Sequence, residues 1–428
     1  MFHVEQLSRL EHKPVPLVYN AAAIDQYRLE LGRKTAMSTA INGVARTSTA
    51  PSAAGQVAGQ VAPGRLVSLD VFRGLTIAGM ILVNNPGTWS AMYWPLEHAQ
   101  WHGWTPTDLI FPFFLFIVGV SMVLSFNSRR QRGENQGKLL LHVLWRSAII
   151  FAIGFFLAAY PGFNMDTVRI PGVLQRIAVV YLLSSLVVLY LGRRGRAMTI
   201  MVLLLGYWAV MMLVPVPGFG AGNLSMDGNL AGFIDRKLML HHLYIKERFD
   251  PEGVLSTFPA VATTLLGAFL GEWLRSGVRE LDKLKWMLAG GLAAVVAGRL
   301  WGIWFPINKN LWTSSYVLFT AGLAEITLGV CYWLVDIRAR KLWARPFLWL
   351  GMNAITVFAL SSFLAKCMGI YRISVDGQQV SWKALVYQRM FAPLAQPVNA
   401  SLLFAVAYLL LFVVLAWAMY RTKIFIKV

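Results

Sequence analysis

Cysteine and acidic side chains are scarce in this chain. Only Cys331 and Cys367 occur among 428 residues, which excludes a disulfide framework. No Cys/His pattern has metal-ligand spacing, so no metal is expected. Glycine-rich phosphate loops, HExxH and G-x-S-x-G are also missing, which removes the common nucleotide, metalloprotease and serine-hydrolase readings. Charged residues make up 14% of the chain, whereas a soluble domain carries roughly a quarter. So little charge cannot solvate a surface in water. Near the N-terminus there is no apolar core of signal-peptide length, so nothing argues for cleavage.

Apolar sequence fills the space. Hydrophobic residues reach 57%, and mean hydropathy is +0.56. About ten segments have spanning length and are bounded by charge or Pro/Gly. They run over Leu69–Asn85, Asp108–Phe126, His142–Tyr160, Leu174–Leu191, Met198–Val214, Phe258–Leu274, Trp286–Phe305, Ser314–Val335, Phe347–Cys367 and Ala400–Tyr420. The expected fold is all-α: a polytopic integral membrane bundle of about ten transmembrane helices.

Lys and Arg outnumber Asp and Glu by 39 to 20, a net charge of +19. The excess sits in short loops after the even-numbered segments, so the positive-inside rule explains it better than nucleic acid does. Both termini are then cytoplasmic. Residues 1–64 read as a flexible cytoplasmic arm, rich in Ala, Ser, Thr and Gly over its second half. Met37 is an alternative start, with 1–36 an upstream extension. Residues 65–428 form the membrane domain.

The stretch Arg65–Phe126 organises the rest. Apolar runs Leu75–Val83 and Leu109–Phe126 flank a polar, aromatic hairpin carrying Asn84, Asn85, Glu97, His98, His102 and Asp108. Titratable groups between membrane helices are costly without partners. Histidine changes charge near neutral pH, which suits a general base. His98 and His102 compete for that role, and each also reads as a solvated loop histidine. Asp108 opens the second segment and reads equally as a helix cap, as does Thr105. Asp70 and Arg73 lie one turn apart and can pair. Arg176, inside the fourth segment, needs a partner or a polar cavity and is a candidate to hold an anion. Asp250 and Glu252 fit a turn before a helix, or a site. Asn308, Lys309 and Asn310 sit at a segment boundary, where anchoring and site lining both fit. Trp89, Trp94, Trp101 and Trp104 suit sugar stacking. Glu325 and Arg299, inside apolar segments, fit either an ion pair or a substrate path.

The motifs SLDVFRGLTI, MILVNN, EHAQWHGWTPTDLIFPFFLFIVGVS, RIPGVLQRIAVVYL, DPEGVLSTFPA, INKNLWTSSYVL, LGMNAITVF and YRTKIF follow in this order. Together they resemble the transmembrane acyltransferases related to heparan-α-glucosaminide N-acetyltransferase. The resemblance implies acetyl transfer from cytosolic acetyl-CoA to the amine of glucosamine, or of a terminal glucosamine on a glycan, across the membrane. It maps the catalytic histidine onto His98, in HAQW, with Asn84 and Asp108 beside it. Arg73, Arg176 and Lys423 are expected to meet acetyl-CoA. Glu97, Trp101, Asp250, Glu252, Asn308, Lys309 and Asn310 are expected to meet the acceptor. The family's large lumenal domain has no counterpart here, so a small amino sugar or a periplasmic glycan is the expected acceptor. A homodimer in the lipid of a bacterial inner membrane is implied. The competing reading is a transporter of N-acetylglucosamine or a related amino sugar.

Overall fold

The computed structural model describes residues 66–245, 248–375 and 377–426. The arm expected over 1–64 and the alternative start at Met37 lie outside the described residues. The described chain is almost entirely helical. In order, its helices are α1 Val67–Asn84, α2 Ile110–Gln131, α3 Gln136–Ala159, α4 Val173–Tyr190, α5 Arg193–Leu213, α6 Leu230–Met239 and α7 Val254–Leu274. They continue as α8 Glu280–Trp301, α9 Ser314–Tyr332, α10 Arg345–Met352, α11 Ala354–Ile370, α12 Trp382–Val386 and α13 Pro397–Arg421. A small hairpin, β1 Arg372–Val375 with β2 Gln378–Ser381, is antiparallel and sets Ile373 opposite Val380.

All ten expected segments are helical, but they are not ten equivalent spans. Among the described residues eight helices are long and apolar enough to cross a membrane, and nine spans result if one bent pair counts as a single span. The expected seventh segment, α8, carries Glu280, Asp282, Lys283, Lys285 and Arg299, and this charge sets it apart from the others. The expected ninth segment is not one continuous helix. It breaks at Asn353, where α10 and α11 meet at 86°. Asn353 accepts the Ile426 N–H at 2.9 Å and donates to the Ile424 carbonyl at 3.1 Å. The side chain thus binds the C-terminal strand of residues into the break.

Lipid is as apolar as leucine, so helices in a membrane gain by close packing rather than by escape from water. Glycines permit it. A Cβ on Gly119 of α2 would collide with the Thr264 carbonyl of α7, and one on Gly267 of α7 with the Phe116 carbonyl of α2. Leu115, Ile117, Leu265 and Tyr316 are buried around this seam.

Hydrogen bonds separate two ends of the bundle. One end joins Ser68 to Asp336, Gln136 to the Leu189 carbonyl, and Arg196 to Glu272, and it carries the basic runs. Gly87 and Thr88 of the polar hairpin meet Ser401 at the other end.

Candidate active site

The hairpin between α1 and α2 is fixed by partners distant in sequence. Gly103 N–H donates to the Ile307 carbonyl at 2.8 Å, and Trp101 Nε1 donates to the Leu224 carbonyl at 2.8 Å. The hydroxyl of Thr105 donates to the Glu97 carbonyl at 2.5 Å. A 3-10 turn, Pro106–Leu109, leads into α2.

Asp108 lies in that turn and is almost wholly buried. One carboxylate oxygen accepts the N–H groups of Ala99 and Thr105, both at 3.0 Å. The other meets His98 Nδ1 at 2.7 Å. The Tyr316 hydroxyl donates to the Asp108 carbonyl at 2.5 Å. The cap and the site are therefore one group: the carboxylate that closes the turn also holds the histidine ring. His98 keeps 49% of its side chain exposed, against 2% for Asp108.

Lys309 Nζ stands 3.0 Å from Nδ1 and 3.2 Å from Nε2 of His98. These nitrogens flank one ring carbon. A point so close to both would strike that carbon if it lay in the ring plane, so the ammonium lies over the ring face. Burial pushes the Lys309 ammonium below the ordinary lysine range, while the charge of Asp108, 3.6 Å away, works in the opposite direction.

These groups wall a cavity of about 380 Å³. Asn84, His98, Trp101, Asp108, Glu252, Lys309 and Asn310 all line it, so seven expected residues from four separated motifs meet there. Met80, Ile110, Phe111 and Phe358 supply apolar walls. Other expected residues fall elsewhere. Glu97 is exposed and is not in the wall. Asn308 is buried and shapes the turn, accepting the Leu311 N–H at 2.9 Å. His102 faces Asn308, at 3.4 Å, rather than the cavity. Of the four tryptophans, Trp101 lines the cavity; Trp89 and Trp94 are exposed, and Trp104 packs on Phe319.

A second carboxylate set braces the wall. Arg169 binds Asp250 through two bonds, 2.8 and 2.6 Å, and also reaches Glu252. Burial opposes the Arg169 charge, but its bonds to Asp250 and the nearby carboxylates hold it above the usual arginine range. Asp250 also accepts the Tyr244 and Glu252 N–H groups, so its oxygens face the protein. Arg176 lies behind the wall, donating to the Gly253 carbonyl and to Ser256. Arg73, at the basic end, is held by Asp70 and Ser121. Lys423 also lies at that end, just beyond α13. Glu325 lines a separate apolar cavity, and no ion pair joins it to Arg299 among the described residues.

Asp235 of α6 supports the same wall, accepting the Val254 N–H at 2.9 Å at the start of α7. Gly253 lets Asp235 approach, because a Cβ there would displace the Asp235 carboxylate from its place. Burial lifts the Asp235 carboxyl from 3.8 to about 6. The folded protein therefore holds this proton more tightly than the unfolded chain does. The contribution is whole below about pH 4 and is lost as pH rises through about 6. Asp235→Asn, which keeps the acceptor oxygen, is expected to match wild type at pH 4 and exceed it at pH 8 by about 3 kcal/mol. Unfolding in detergent at the two pH values checks this; an equal difference at both pH values would refute it.

The apolar helices make this a multi-pass membrane protein, and at one end of the bundle a histidine held by a buried carboxylate faces a cavity. A family model for the catalytic part of heparan-alpha-glucosaminide N-acetyltransferase matches residues 65–299. The chain belongs to that family, as its ordered motifs indicate. It is 32% identical over 423 residues to the heparan-alpha-glucosaminide N-acetyltransferase of Homo sapiens, across 86% of this chain and 60% of that one. To the Mus musculus protein of the same name it is 30% identical over 424 residues, across 85% of this chain and 60% of that one. It thus spans less than two thirds of the relatives' length.

Proposed function

We propose that the protein transfers acetyl from acetyl-CoA to the amine of glucosamine, or of a terminal glucosamine on a glycan. The observation that carries this reading is the His98–Asp108 pair facing the cavity in a chain of this family. By the positive-inside rule the basic end faces the cytoplasm, where acetyl-CoA enters. The acceptor reaches the cavity from the periplasmic side of a bacterial inner membrane.

With Nδ1–H donating to Asp108, a neutral His98 ring presents the Nε2 lone pair. Nε2 takes the proton from the acceptor amine as its nitrogen attacks the thioester carbonyl. The developing oxyanion meets cationic Lys309 and the Asn84 amide, both in the cavity wall. The C–S bond then breaks, and the thiolate leaves with the proton held by His98. Trp101 and Asn310 contact the sugar. The test is transfer of labelled acetyl from acetyl-CoA to glucosamine by the purified protein in detergent. Intact protein that acetylates no amino sugar, or that carries the sugar unmodified into vesicles, would sink the proposal.

Asp108→Asn probes the tautomer. An amide has one acceptor oxygen where the carboxylate has two. If that oxygen keeps the Ala99 and Thr105 N–H groups, the NH2 faces His98 and forces Nδ1 to accept. The proton then sits on Nε2, the position needed as base. Transfer is expected to fall about 10²-fold or more, with acetyl-CoA affinity unchanged. Undiminished kcat would remove the carboxylate from the mechanism.

A further inference from the structure

A second cavity lies at the opposite end of α2 from Asp108, where α2 turns into α3. It holds about 460 Å³ and is walled by Arg129, Lys138, His142 and Glu134, with Leu141 and Trp145 at its rim. Lys138, His142 and Arg146 recur every fourth residue, so they share one flank of α3. Arg129 reaches this flank from α2, 3.2 Å from His142 Nε2, and also binds Glu134 at 2.9 Å. Glu134 is the carboxylate in that wall and is engaged by Arg129, so it does not balance the flank.

Arg146 is the deepest of the three. Its guanidinium lies 5.0 Å over the Tyr181 ring of α4, and its Nε is buried with no hydrogen-bond partner. The hydroxyls of Ser147, beside it, and of Ser184, one turn beyond Tyr181, are buried and unpartnered too. An arginine inside a spanning helix is costly unless it meets an anion or a polar cavity. The unpartnered Nε leaves Arg146 with a donor for a polar ligand on this flank.

We propose that this flank is a phosphate-ester site that holds the pyrophosphate and 3′-phosphate of coenzyme A. The assignment of the coenzyme rests on the acetyl-CoA reading above; the phosphate chemistry rests on the flank itself. The reach agrees. Asp108 and Arg129 stand about 30 Å apart along α2, and Arg146 is about 12 Å along α3 from Lys138, back toward the His98 end. The remaining gap of about 20 Å suits an extended pantetheine arm. Arg73, an expected anion holder, is engaged with Asp70 and Ser121. Arg176, the other, donates through one nitrogen to Gly253 and Ser256 and keeps Nε and Nη1 unpartnered, but it lies behind the wall of the His98 cavity rather than on this flank. An anionic phospholipid headgroup offers the same phosphate chemistry, with Leu141 and Trp145 exposed beside it.

The test is calorimetric binding of coenzyme A to the full chain in detergent, with native mass spectrometry of retained phosphatidylglycerol. Arg146→Gln and the double variant Lys138→Gln/His142→Gln are compared with Arg299→Gln, a charge control at the other end of another helix. At least tenfold weaker coenzyme binding in the first two, with the control unchanged, supports the site and the coenzyme together. Dephospho-coenzyme A should then lose less than the intact coenzyme does. Unchanged coenzyme affinity with lost phosphatidylglycerol supports the phosphate site and assigns it to lipid. If neither changes, the proposal is overturned. Wild-type protein that binds no coenzyme A defeats the acetyl-CoA reading separately, and the lipid arm then decides the flank. Should Arg146→Gln fail to fold, the double variant on the more open part of the flank carries the test.

Discussion

On the proposed function, His98→Ala is expected to lower acetyl transfer by about 10³-fold, within the range for loss of a general base. The fold survives, because the ring is half exposed and its packing contributes little. Acetyl-CoA affinity also survives, because the ring acts on the amine and the thioester carbonyl rather than on the phosphates. The loss therefore falls on kcat, and KM for acetyl-CoA holds. Labelled transfer beside wild type, with a binding measurement on the same preparations, checks both halves. Transfer that persists would keep the enzyme and move the base. His102 is the next candidate, although it faces Asn308 rather than the cavity. Label trapped on wild-type protein without acceptor, and absent from the variant, would show that acetyl passes through His98 itself.

Arg169→Ala has the largest expected effect on stability. The Asp250 side chain is wholly shielded from solvent, and Arg169 supplies its cation through two parallel bonds. Removing the guanidinium leaves a buried carboxylate unpaired, at a cost of about 3 kcal/mol or more. The Tyr244 and Glu252 N–H groups still bind Asp250, which places the effect at the lower end. Arg169→Lys recovers only part, because an ammonium cannot reproduce the forked geometry. Unfolding in mixed detergent, read by tryptophan fluorescence, gives the difference. Arg169 and Glu252 line the site, so the acceptor KM is expected to rise in the same variant. Wild-type stability in Arg169→Ala would show that the two backbone donors hold Asp250 unaided.

Much of the candidate site was legible because its groups lie in unusual places. His98, Asp108, Asn84 and Lys309 are polar residues at the edges of apolar runs, and the cost of burying them marks them out. By residue type alone His98 and His102 were rivals, since both lie in one loop, and the family resemblance pointed to His98. The cavity and the reach of Asp108 separate them in space. Tyr316 was not visible as a site residue at all. Its hydroxyl meets the Asp108 carbonyl across 208 positions, and nothing local signals such a contact. Glu97, by contrast, has suggestive neighbours but lies outside the wall.

By itself the sequence determined the class, the helical character of the apolar segments and which end carries the basic runs. These depend on hydropathy and charge summed over short windows, which act through the local solvent. It also determined the family, through ordered motifs. Only the tertiary structure decided that the ninth segment bends at Asn353, because the bend depends on Ile424 and Ile426 arriving from the far end of the chain. The structure likewise decided that Lys309 lies over the His98 ring and that Arg169 clamps Asp250. Those pairings join residues 211 and 81 positions apart. Contact at that separation is fixed by how helices pack, which no short window of sequence encodes.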